Sequence, residues 1–82
     1  DLTSQNPGNH TGWHLLGVVR FSKFEYETAR QNLQFAIDLA EPDVPAAYYG
    51  DLGNALHKLR RLDAAETALR HAVDADPTLA AA

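Results

Sequence analysis

The sequence predicts an all-α fold made of antiparallel helix-turn-helix repeats, and three observations carry that prediction. The chain repeats itself at an interval of 36 residues: Trp13, Leu16, Gly17, Tyr26, Ala29, Leu33, Ala36, Ile37 and Asp38 lie over Tyr49, Leu52, Gly53, Leu62, Ala65, Leu69, Ala72, Val73 and Asp74. Size or chemistry is kept at every pair, as when one supersecondary unit is used twice. Within each unit the apolar residues step by threes and fours, the spacing of a helix with one buried face. The breaks between these stripes are only about two to four residues long, which makes neighbouring helices antiparallel.

The elements follow in order. Residues 1–9 are polar and end in Asn6-Pro7-Gly8-Asn9, a structure-breaking cluster that offers Asn9 as a helix N-cap. A first helix is predicted over about 10–22, carrying Trp13, Leu16, Gly17 and Val19, and its stripe fades at Ser22-Lys23. The series Tyr26, Ala29, Leu33, Ala36, Ile37 and Ala40 predicts a second helix over about 25–40. Pro42 stops it, because proline lacks the N–H and pushes Glu41 out of the helical region. Pro45 suits the first turn of a third helix, about 45–59, with Tyr48 or Tyr49, Leu52, Gly53, Leu56 and Leu59 on one side. Leu62, Ala65, Leu69, Ala72 and Val73 predict a fourth, about 62–75, closed by Asp76-Pro77. The expected division is the end of a preceding repeat or linker at 1–9, one unit at 10–42, a second at 43–77, and the opening turn of a further helix at 78–82.

Glycine inside a helix costs about 1 kcal/mol relative to alanine. Gly17 and Gly53 recur at equivalent places, so a compensating close approach is expected, with Ala29 and Ala36, or Ala65 and Ala72, on the facing helix. Trp13 and Tyr49 share the register of Leu16 and Leu52, which favours core packing over ligand stacking.

Composition bounds the function. At 82 residues, of which 45% are hydrophobic, the chain makes one small domain with a thin core. No apolar run reaches the roughly 18 residues of a membrane span. There is no cysteine, hence no disulfide and no thiolate metal site. Net charge is −4, with seven basic residues scattered among eleven acids, so a nucleic-acid partner is not expected. The start, Asp1-Leu2-Thr3, has neither an initiator Met nor a signal-peptide pattern; a piece of a longer, cytoplasmic chain is expected.

These residues resemble the tetratricopeptide repeat, whose pattern runs W-x2-L-G-x2-Y, then A-x3-F, then P over about 34 residues. In the second unit Tyr49 stands for the Trp, Leu52-Gly53 match, Leu56 takes the Tyr place, Ala65 and Leu69 fit A-x3-F, and Pro77 ends the unit. The first unit has Trp13, Leu16-Gly17, Ala29, Leu33 and Ala36, but Arg20 stands where an aromatic or Leu is expected, with Val19 or Phe21 available as a replacement contact. The interval is 36 residues, the extra ones falling around Glu41 to Val44, and the glycine that usually ends a unit's first helix is replaced by Phe24 and Arg60. The resemblance implies an α-solenoid with a right-handed superhelix. A weaker likeness in wording, His14-Leu15-Leu16-Gly17-Val18 and Leu52-Gly53-Asn54-Ala55-Leu56, is to repeat arrays that precede O-linked N-acetylglucosamine transferase-like domains in bacterial proteins.

The resemblance also implies a concave groove, lined by the first helix of each unit, that takes a protein or extended peptide. The positions pointing into it are Thr11, His14, Val18, Phe21 and Ser22, then Ala47, Gly50, Asn54, His57 and Lys58. Asn54 is the sharpest candidate, since an amide both donates to and accepts from a ligand backbone. A carboxylate clamp of Lys and Asn is not expected, because His14, Val18 and Gly50 fill most of its places. His10 and His14 are one turn apart, a spacing that can hold zinc, yet no further ligand is placed to complete a site. Asp63, Glu66 and Arg70 read as weak surface pairs rather than a catalytic dyad. No enzyme activity, cofactor or metal is expected. The rival readings are a structural or self-associating segment of a longer solenoid, and the substrate-recognition arm of a glycosyltransferase-like enzyme. Leu69 and Val73 at one end, and Leu15 and Val18 at the other, lack a polar capping helix, so a homo-oligomer through the repeat ends is expected.

Overall fold

The computed structural model describes residues 9–78, which form four helices: α1 (His10–Ser22), α2 (Tyr26–Ala40), α3 (Ala46–Lys58) and α4 (Leu62–Ala75). The segment expected to end a preceding repeat, apart from Asn9, and the helix start expected at 78–82, apart from Thr78, lie outside the described residues. Helices α1 and α2 pack as one hairpin and α3 and α4 as a second; α2 joins the two by packing on α3, and α1 touches α3 along one edge. Among the described residues no helix is long and apolar enough to cross a membrane. The connections at 23–25, 41–45 and 59–61 are each one residue longer than the spacing predicts, because Glu25, Pro45 and Leu59 cap helices rather than join them.

Local chemistry sets the helix ends. The Asn9 side chain accepts the Gly12 N–H at 3.2 Å, satisfying a donor that has no partner within the first turn of α1. Glu41, ahead of Pro42, is extended at φ −55°, ψ 145°, and α2 stops there.

The two hairpin turns are alike. The Glu25 N–H donates to the Arg20 carbonyl and the Phe24 N–H to that of Phe21, both at 2.9 Å; Arg61 and Arg60 do the same to Leu56 and His57, at 2.9 and 3.0 Å. This is the Schellman arrangement, which needs a left-handed residue just past the helix end. Phe24 and Arg60 fill that place at φ 65° and 66°. The missing glycine therefore does not alter the turn: two ordinary residues take the left-handed conformation, held by the paired hydrogen bonds.

The core is thin and rich in alanine. Leu33 and Ile37 of α2 are its largest fully enclosed side chains, and Tyr48, Leu52 and Leu56 of α3 close over them. The glycines do allow close approach of the facing helix at Ala29 and Ala65, as expected, and the nearest side chain there is a leucine. A Cβ on Gly17 would lie 2.7 Å from Leu33 Cγ and 3.3 Å from the Ala29 carbonyl oxygen; on Gly53 it would lie 2.6 Å from Leu69 Cγ and 3.3 Å from that of Ala65. Each glycine admits a leucine, while the alanine one turn earlier brings its backbone near.

The same symmetry governs the aromatics. Trp13 meets Phe35 edge-on, with ring centroids 4.6 Å apart, and Tyr49 stacks on His71 at 5.1 Å. Both Trp13 and Tyr49 are partly buried against the core, and Tyr48 is the buried one of the tyrosine pair. Where Arg20 breaks the pattern, Phe21 supplies the apolar contact and packs on Tyr26 at 5.2 Å, while Arg20 pairs with Glu25 at 3.1 Å. Val19 stays largely exposed.

A charged tie links the hairpins. Glu27 on α2 pairs with Arg30 at 2.6 Å and, across the units, with Arg61 at the start of α4 at 3.3 Å. The hydrogen bonds from Arg30, aided by the charges of Arg30 and Arg61 and by Gln31, hold the Glu27 carboxyl at about 2 against the opposing effect of desolvation.

Candidate peptide-binding cleft

Helices α1 and α3 are the first helices of the two hairpins, and a cleft lies between them. Val18 and Phe21 of α1, Leu33 of α2, and Asp51 and Asn54 of α3 line it. A more open depression adjoins it, lined by Ala47, Gly50, Asp51 and Asn54 of α3 and by Leu69, Ala72 and Val73 of α4. Asp51 and Asn54 belong to both, so the two meet along one turn of α3. Helical geometry explains the set: Ala47, Gly50, Asp51 and Asn54 are spaced by three and four residues and share a face. Gly50 keeps that face low, since a Cβ there would meet only the Ala72 methyl, at 3.9 Å.

A polar cluster fastens α1 to α3 beside the cleft. The His14 Nε2 donates to Asp51 Oδ2 at 2.6 Å, and the His14 ring stacks on Tyr48 with centroids 4.2 Å apart and planes 14° from parallel. The Tyr48 hydroxyl shares a hydrogen bond with His10 Nδ1 at 2.8 Å. His10 and His14 thus engage Tyr48 and Asp51, and no group of three or more histidines, aspartates or glutamates able to hold a metal occurs among the described residues.

The positions expected to line a groove separate into four groups. Val18, Phe21, Ala47, Gly50 and Asn54 come together in the cleft and its extension. His14 stands beside them, tied to Asp51 rather than presenting its ring freely. Thr11, Ser22 and Lys58 are exposed and line neither depression. His57 lines a third depression, with Leu62, Leu69 and Val73 of α4, the last two being shared with the extension. That depression also carries the weak exposed pair of Glu66 and Arg70, 3.4 Å apart.

Sequence reasoning missed Asp51, and it placed Tyr48 or Tyr49 on the packed side of the third helix without the contacts of Tyr48 to His10 and His14. Asp51 was open to discovery, lying three residues before Asn54 on the same helical face. Its partner His14 is 37 positions away, and only the packing of the hairpins brings the two together.

Residues 46–79, which take in α3, the turn and α4, match the tetratricopeptide repeat. No curated protein matches the chain significantly.

Proposed function

Since the second hairpin is a tetratricopeptide repeat and the first is built on the same plan, we propose that the chain is a protein-interaction module whose α1–α3 cleft takes an extended peptide from a partner protein. Repeats of this family generally mediate protein–protein contacts. One observation carries the finer reading: a pair of hydrogen-bonding side chains, Asp51 and Asn54, runs through two adjoining depressions whose remaining walls are apolar or small. An extended segment has unpaired backbone donors and acceptors, and an exposed amide serves both. Val18, Phe21, Leu69 and Val73 supply apolar contact on either side. Selection from a displayed random-peptide library tests this. Enriched peptides should lose binding to Asn54→Ala and Val18→Ser variants that keep full helicity. Recovery of no peptide, or binding indifferent to both substitutions, would refute the assignment.

A second reading, end-to-end self-association, is favoured by the outer face of α4. Leu33 and Ile37 on α2 are covered by α3, whereas their equivalents Leu69 and Val73 stay open, Leu69 being 37% exposed and Leu62 beside it 48%. A second copy would cover this face as α3 covers α2. Such a contact is heterologous and open-ended. Sedimentation should then show mass rising with concentration and returning to the monomer in Leu69→Glu; a concentration-independent monomer refutes it.

A further inference from the structure

We infer that the cleft selects a segment carrying a cationic side chain, lysine or arginine, next to an apolar one, and that Asp51 is the residue that determines this preference. This rests on the proposed peptide-binding function of the same cleft. Among the described residues Asp51 is the only charged side chain lining either depression, and it lines both. Among the described residues no lysine or arginine lines either depression beside it. It is 38% exposed, and His14 takes one oxygen, Oδ2, at 2.6 Å. Among the described residues its Oδ1 accepts no side-chain hydrogen bond. His14, itself held against Tyr48, therefore acts as a positioning residue that fixes the carboxylate at the junction of the two depressions.

Space and charge then define the ligand. The low floor at Ala47 and Gly50 leaves room for the aliphatic stem of a lysine or arginine approaching Asp51. Val18 and Phe21 offer an apolar wall to a neighbouring side chain. A ligand carboxylate at the same place would meet Asp51 as a like charge. The net charge of −4 favours the approach of basic segments over acidic ones.

The test uses short, end-blocked, fluorescently labelled peptides of one sequence, with a leucine beside a single variable position holding Lys, Arg, norleucine, Gln or Glu. Anisotropy titrations at low salt give their affinities for the native chain and for Asp51→Asn and Asn54→Ala. Asp51→Asn keeps an oxygen for His14, and circular dichroism checks that both variants stay folded. The Lys and Arg peptides should bind the native chain about fivefold more tightly than norleucine or Gln, with Glu weakest. The gap should close in Asp51→Asn, shrink as salt rises, and persist in Asn54→Ala, where all affinities fall together. Equal binding of Lys and norleucine peptides, or a gap that survives Asp51→Asn, overturns the cation preference and leaves the peptide groove standing. If no peptide binds, or binding ignores Asn54→Ala, the groove fails and the preference with it.

Discussion

Arg60 sits at φ 66° at the end of α3, in a turn whose hydrogen bonds require the left-handed conformation. A residue with a Cβ spends about 1–2 kcal/mol there that glycine does not. Glycine gives back part of this, since it has more backbone freedom to lose on folding, at about 0.5–1 kcal/mol. The side chain itself offers little to set against the change: Arg60 is exposed and joins none of the ion pairs among the described residues. Arg60→Gly should therefore stabilise the chain by about 1 kcal/mol or slightly less, raising the melting temperature by about 4–8 °C per kcal/mol for a domain of this size. Thermal unfolding followed by far-ultraviolet circular dichroism gives the number. Arg60→Ala is the control, because it removes the same side chain and keeps the Cβ. The Gly variant should melt well above the Ala variant. Coincident melting curves for the two would refute the left-handed strain as the source of the effect. Phe24→Gly, at φ 65°, should gain less, because its ring, though 76% exposed, keeps an edge contact with Tyr26 at 6.3 Å.

Two further outcomes follow from packing and charge. Gly17→Ala should destabilise by about 1–3 kcal/mol, since its Cβ would reach 2.7 Å from the fully buried Leu33, while Gly53→Ala should cost less, because Leu69 is partly exposed and free to swing away; equal losses in chemical denaturation would contradict this account. The Glu27 carboxyl is held at about 2, below its ordinary 4.5, so it contributes stability above about pH 4.5 that is lost as pH falls toward 2. Glu27→Gln should accordingly flatten the fall of melting temperature with acid over that window, and parallel curves for the two proteins would count against the Arg30–Glu27–Arg61 tie.

Much of the fold can be read from the chain because it is local and written twice. Periodicity places four helices, and Pro42 and Asn9 mark where helices stop and start. The interval between Gly17 and Gly53 correctly announces a close approach, yet it does not say that leucine is what approaches; that depends on the rotation of α2 against α1 and of α4 against α3. The hairpin turns show the same limit. A missing glycine reads as a departure, whereas the paired hydrogen bonds at Phe24 and Arg60 restore the left-handed turn without it.

The cleft was legible only in part. Phe21, Gly50 and Asn54 come from the groove that the repeat resemblance implies, the first two lying in different units but on corresponding helices. Lys58 and Thr11 are included in that groove and still fall outside the cleft, because helical register fixes a direction around one helix and not the depth of the wall that the next helix builds. His57 is turned to the α4 side for the same reason.

By itself, then, the sequence determined what depends on contacts within about one helical turn or on repetition: the four helices of the described residues, their pairing into hairpins, and the small-residue seams that let them pack. Only the tertiary structure decided which residues share a surface across the two units, above all the meeting of His14 with Asp51 and the carboxylate it presents to the cleft. Such a meeting requires residues remote in the chain to be set a few ångströms apart by the docking of one hairpin on the other. That docking is settled by the shape of Leu33, Ile37, Tyr48 and Leu52 together, and no single stretch of the chain encodes it.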